Sequence, residues 1–299
     1  MPSRIGVVAI VLFWLATTAF VGYHEVWPRY FSDAPPPVQI DLADEATQQV
    51  ATYWQIYRGE QRIGKLTTRM EYNPLDDTFR FINTYSQLSF DVSKGFSLDV
   101  PQLETTVRMN RAGELREQKM SGEMIAKIGP IPVGDASAVV TGYVLNGQLL
   151  GRCLVRYPIK SIEPAIDREL EPVPVPAGQV LNPMMPLNRL RDVQPGRKWV
   201  IRKVDPLQDA MNVLLREMAK ESKFTLMALP NPGNGELLAE VKSTPEKLER
   251  KNATPVDCWV IEYRGDEVLA RTWVSTADGR VMRQEASGLG EKLRFERDE

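Results

Sequence analysis

Thr272–Glu285, TWVSTADGRVMRQE, is the stretch whose reading decides the fold. Its side chains alternate in character on both sides of Asp278-Gly279. Asp accepts a hydrogen bond from its own backbone two residues on, and Gly takes the positive φ that closes a loop. Successive strand residues face opposite ways, so Trp273 and Val274 diverge, as do Val281 and Met282. The stretch therefore reads as a hairpin rather than as a cluster of reacting groups.

The same rhythm extends outward. YWQIYRGEQRIGKLTTRMEY, from Tyr53, gives strand, glycine turn and strand, and FRFINTYSQLSF gives another strand. Hairpins follow around Ala112-Gly113 and Asn146-Gly147. Asn-Gly is a strong short-range hairpin signal, because a type I′ turn needs positive φ at both central residues. Hairpin after hairpin in chain order predicts an antiparallel meander.

Between the halves, prolines at 158, 164, 172, 174, 176, 183 and 186 remove ladder donors and predict an ordered crossing loop rather than a long regular element. QPGRKWVIRKV restarts a strand after a Pro-Gly turn. DPLQDAMNVLLREMAKES predicts one helix, with Asp205 as N-cap, Pro206 in the first turn and an apolar stripe of Leu207, Ala210, Met211, Leu214 and Met218. KFTLMAL and ELLAEVKS are expected to pair across NPGNG. The fold class expected is mainly β: a curved antiparallel sheet or half-barrel with one packed amphipathic helix, preceded by an N-terminal transmembrane helix.

That last element comes from Arg4 followed by the uncharged apolar run Ile5–Val21, with Tyr23, Trp27 and Tyr30 beyond it. A bilayer core needs ~20 apolar residues as helix, and flanking aromatics extend a short run. A cleaved signal peptide is the competing reading, with Thr17 to Ala19 near its cleavage site. The organisation read from this is an anchor over 1–30, a proline-containing linker over 31–51 with Pro35 to Pro37 as spacer, and an extracytoplasmic β-rich domain over 52–299, with possible halves 52–157 and 188–299. The expected location is the inner membrane, single-pass, with the bulk of the chain outside the cytoplasm.

Counting excludes much chemistry. The 299 residues carry a net charge of -2 and no basic tract interleaved with aromatics, which argues against nucleic acid as partner. The single histidine, His24, sits beside the apolar run, so histidine metal motifs and Ser-His-Asp or Cys-His machinery in the domain are not expected. No cofactor fingerprint is present, and the 39 acidic residues read as caps and solvated surface rather than as a general acid and base. No catalytic, cofactor or metal residue is assigned, and the chain is not expected to be an enzyme. Two constellations remain. Cys153 and Cys258 lie in similar strand contexts and either form a disulfide or stand as two buried thiols. NPMMPLNRL sets Met184 and Met185 between prolines, where pliable side chains suit an apolar mouth or plug the end of a sheet; Arg189 is the candidate polar contact.

The pattern CWVIEYRGDEVLARTWVSTADGRVMRQEASGLGEKLRFER resembles a C-terminal module of uncharacterised, planctomycete-like bacterial envelope proteins, and LNPMMPLNRL with QPGRKWVIRKVDPL is similar to the same group. The shape resembles the half-barrels of lipoprotein-localisation carriers. What the resemblance implies is a curved antiparallel sheet offering an apolar concavity, with no catalytic residue to carry over. The function expected is a membrane-anchored, non-catalytic envelope protein binding an apolar, lipid- or lipoprotein-like ligand or a protein partner. The alternative is a structural or accessory scaffold module without a small-molecule pocket.

Overall fold

Fifteen strands follow one another: β1 (Thr52–Arg58), β2 (Gln61–Asn73), β3 (Thr78–Ser93), β4 (Phe96–Asn110), β5 (Leu115–Ile128), β6 (Ile131–Leu145), β7 (Gln148–Arg156), β8 (Ala165–Pro174), β9 (Lys198–Arg202), β10 (Glu236–Val241), β11 (Glu246–Arg250), β12 (Ala253–Arg264), β13 (Val268–Ser275), β14 (Val281–Gly288) and β15 (Glu291–Asp298). The computed structural model describes Phe13, Trp14, Thr17, Thr18 and Phe20 and, between 51 and 298, all residues but 94, 112, 157–164, 176–185, 191, 203–235, 251–252, 266 and 289–290. The five early positions are helical. Among the described residues no helix is long and apolar enough to cross a membrane. The rest of the expected anchor, the linker up to residue 50 and the amphipathic helix of 205–222 lie outside the described residues.

The sheet is antiparallel and curved and does not close into a barrel. Its order is β8-β7-β6-β5-β4-β3-β2-β1-β15-β14-β13-β12-β10-β9, with β11 also on β12. The first and last strands pair side by side, Trp54 opposite Arg297 and Ile56 opposite Phe295. From that junction two meanders run outward to the edges β8 and β9. The end at which β1 begins is here called the lower end; it carries the turns at 73–78, 110–115, 145–148 and 275–281. The upper end carries those at 58–61, 93–96 and 128–131.

The predicted turns form as the residues require. Asn146 and Gly147 both take positive φ, 51° and 74°. At the opening stretch, Asp278 Oδ1 accepts from the Arg280 amide at 3.2 Å and Gly279 has φ 72°. Val274 and Val281 then enter the main core while Trp273 and Met282 pack on the other face. That main core, which includes Trp54, Ile56, Leu66, Ile261 and Phe295, marks the inner face of the sheet. Trp54 donates from its indole N–H to Thr68 at 3.1 Å, so its one polar atom is satisfied where it is buried.

Two expectations are corrected. The proline-rich crossing contains β8, an edge strand on β7. Pro172 sits where the register shifts between Leu149 and Gly151, and Pro174 ends the strand, so neither removes a required ladder bond. ELLAEV is β10, and its neighbours are β9 and β12 rather than a hairpin partner across NPGNG; KFTLMAL itself lies outside the described residues. Strand continuity also breaks where Pro245 stands: β10 and β11 pair with successive halves of β12, two residues out of register.

Residues 186–190, between β8 and β9, lie along the lower end. The Leu190 amide donates to Gly279 O at 2.8 Å and the Val281 amide to Asn188 O at 3.0 Å. A Cβ on Gly279 would lie 2.6 Å from Leu190 O, whereas one on Gly147 would meet nothing within 4 Å. Both glycines hold positive φ, which costs another residue ~1–2 kcal/mol. Gly147→Ala is therefore expected to lose about that much stability, and Gly279→Ala clearly more, because it also pushes the crossing segment off the hairpin. Urea unfolding of the two variants measures the difference; equal losses would show that the crossing segment yields freely.

Candidate functional site

Strands β3 to β6 are the longest group, at 16, 15, 14 and 15 residues, and rise ~50 Å. Register fixes which side chains share a face. Leu103, Gly122, Ala138 and Val155 form one inner row, and Leu98, Ala126 and Gly134 form another nearer the upper end. Met124 with Ala136 lies between them, and Phe96, Ile128 and Ile131 finish the series. No charged residue belongs to these rows. The alternate rows, on the outer face, hold Asp99, Glu104, Glu123, Lys127 and Asp135. Lys127 is neutralised by Asp99 at 2.5 Å.

The two ends of this inner wall differ. At its lower part Leu115, Val140, Leu149, Cys153 and Leu170 are buried together. Higher up, Gly122, Ala126, Ala136 and Ala138 are half-buried, and Met124, Ile128, Ile131 and Gly134 are exposed. Small side chains between larger apolar ones leave an uncharged lane open on the inner wall. The sequence does carry the signal, in GEMIAKI and PVGDASAVV, where small or apolar residues alternate with charged or polar ones. Reading strands only for their turns and large residues misses it.

Of the ligand-binding candidates read from the sequence, Arg189 is not brought to this lane. Met184 and Met185 lie outside the described residues. Arg189 is at the lower end, bridged through its backbone to Arg280. Around it the crossing segment acts as a plug: Leu190 is in the main core, and Leu187 and Val193 pack against it. Asn188 holds it in place. Its Oδ1 accepts from the Thr52 hydroxyl at 3.0 Å and from Arg297 Nη2 at 2.8 Å, and its carbonyl accepts from Arg297 Nη1 at 2.9 Å. The disulfide alternative is corrected as well. Cys153 and Cys258 are free thiols buried in different apolar clusters, one on each face of the sheet. Burial pushes both thiols up, Cys258 to about 11.

Among the described residues one carboxylate is buried. Glu262 projects from the outer face of β12 with its side chain only 4 % exposed. Burial alone would raise its pKa. The hydrogen bond from Arg264 and the nearby charges of Arg271 and Lys242 outweigh that and hold it below the usual carboxylate range. Arg271 Nε lies 2.9 Å away and Lys242 Nζ 3.5 Å. Lys242 also reaches Glu246 at 2.6 Å, and Glu246 accepts from the Trp273 indole at 3.2 Å. A carboxylate held ionised this way ties β10, β12 and β13 together and is a poor proton donor. Among the described residues, no group of three or more His, Cys, Asp or Glu side chains is arranged to hold a metal ion.

No protein-family model matches the chain, and no curated protein matches it. Among solved structures, a β-barrel-like protein with a domain of unknown function, DUF1849, from Brucella abortus is similar over 83% of this chain and 94% of its own. Identity is 9% and the TM-score 0.33. The planctomycete-like and carrier resemblances read from the sequence are carried by neither result.

Because the Glu262 pKa is lowered on folding, its stabilisation is present above the unfolded carboxylate range near ~4.3 and fades as pH falls through the folded value. Glu262→Gln is expected to cost ~1–3 kcal/mol at pH 7, through cations left without their partner. The gap between variant and native protein should shrink below pH ~4. Urea titrations across pH check this; a gap that stays constant into acid would remove the charge argument.

Proposed function

We propose that the chain is a non-catalytic envelope protein whose β-sheet domain holds an apolar ligand, a lipid acyl chain or a lipoprotein-like segment, along the upper inner wall of β4–β6. The observation that carries this reading is the uncharged lane itself. Gly122, Ala126, Gly134, Ala136 and Ala138 keep a strip of sheet low between Leu98, Leu103 and Met124, and the strip is left partly open. Burying apolar surface yields roughly 25 cal/mol per Å², so an extended chain laid on such a floor binds without a single charged contact. The N-terminal apolar run supports tethering of the domain at a membrane, where such ligands are found.

The scaffold reading has its own support, confined to the other half. There Leu187, Leu190 and Val193 of the crossing segment pack into the inner face as core. A catalytic reading has less support: among the described residues the buried carboxylate is Glu262, and its cations keep it ionised.

Native mass spectrometry of the full chain, gently extracted from its membrane, tests the proposal. Bound lipid mass is expected on the native protein. Ala136→Trp, which raises the floor at a half-buried position, should lose it, and Arg189→Ala should keep it. Lipid retained by Ala136→Trp but lost with Arg189→Ala would move the site to the crossing segment. Its absence from all three would favour the scaffold.

A further inference from the structure

The tip of the β5–β6 hairpin reads IGPIPVG over 128–134, seven residues without a charge. Ile128, Ile131 and Val133 are 58%, 64% and 53% exposed there, at the upper end of the longest strands. Exposed apolar side chains on a loop are common. Less common is the treatment of the backbone. Pro130 and Pro132 have no N–H to leave unpaired, and the Gly129 amide already donates to Gly95 O at 2.7 Å across the neighbouring turn. Ile128 and Ile131 face each other as a ladder pair.

Backbone donors without partners are what bars irregular chain from lipid, since each costs several kcal/mol in hydrocarbon. The charges that flank the tip, Lys127 and Asp135, lie on the outer face. Lys127 is paired there with Asp99 at 2.5 Å. We propose that the 128–134 tip seats in the boundary between headgroups and acyl chains of a lipid bilayer. The inference rests on the apolar-ligand reading to this extent: Ile128 and Ile131 also close the upper end of the lane, so a seated tip opens the lane toward the acyl chains.

A cysteine introduced by Ile131→Cys, in the full chain reconstituted into vesicles, carries an environment-sensitive fluorophore to the tip. Native Cys153 and Cys258 are buried and do not compete for label. Lys119→Cys, exposed on the outer face of the neighbouring strand β5, supplies the comparison, and Ile128→Cys repeats the test at the ladder partner of Ile131. The label at 131 is expected to shift to the blue and to lose intensity when the lipids bear a nitroxide quencher, while the label at 119 does neither. Emission at 131 and 128 as aqueous as at 119 overturns the proposal. So does protection that appears only in native membranes, which would assign the tip to a protein. Co-purified lipid with an aqueous tip sinks this inference alone. A seated tip on protein that carries no lipid sinks the ligand reading and spares the tip.

Discussion

The pairing of β1 with β15 is the constraint from which the rest of the architecture follows. It joins residues more than 230 positions apart, Ile56 with Phe295 and Trp54 with Arg297, at the middle of the sheet rather than at its edge. Once the two ends of the chain are neighbours, each half meanders away from the junction, and the edges fall on β8 and β9, which are consecutive in sequence. The chain between them must then travel the width of the sheet. Its residues 186–190 lie along the lower end and are held at the junction itself, where Asn188 accepts from Thr52 of β1 and Arg297 of β15. Such long-range closure is entropically costly until the whole chain is present, so a sheet of this order is a slow folding problem.

The two faces divide the work. On the inner face, aliphatic and aromatic side chains from β1, β2 and β12–β15 meet the returning segment and form the main core. On the outer face, charges are placed in compensating sets: Glu262 among Arg264, Arg271 and Lys242, and Glu296 with Arg283 at 2.7 Å. Arg283 also covers the Trp273 ring at 5.8 Å, where a small outer cluster with Leu248, Cys258, Val260 and Met282 lies beneath the end of β11. Exposed pairs of this kind contribute little each. Glu262 differs because it is buried, so its partners are required rather than decorative.

The inner face is not used evenly. Where the crossing segment lies across it, the apolar surface is consumed as core. Where β3–β6 extend toward the upper end, the same alternation of residues continues over small side chains and leaves the surface partly open. A fold that closed on itself would have hidden that strip. An open curved sheet exposes it on the wall that the rest of the molecule uses for burial, and this is why the candidate site is a continuation of the core rather than a separate pocket.

Local chemistry carried much of this in the residues alone. Asn146-Gly147 could form little else but a tight turn, and the alternation at Trp273, Val274, Val281 and Met282 assigned each side chain to its face, because both effects are complete within a few residues. Period-two alternation likewise determined that the chain is an antiparallel β protein. Only the tertiary structure decided what those segments meet. Pro172 and Pro174 forbid a central strand but not an edge strand, and edges are defined by neighbours that sequence does not display. The leucines beside Arg189 pack into the main core because the junction of the chain's two ends lies beneath them. The cysteines remain apart for the same reason: strand order, set by pairings hundreds of residues long, puts them in different clusters on opposite faces.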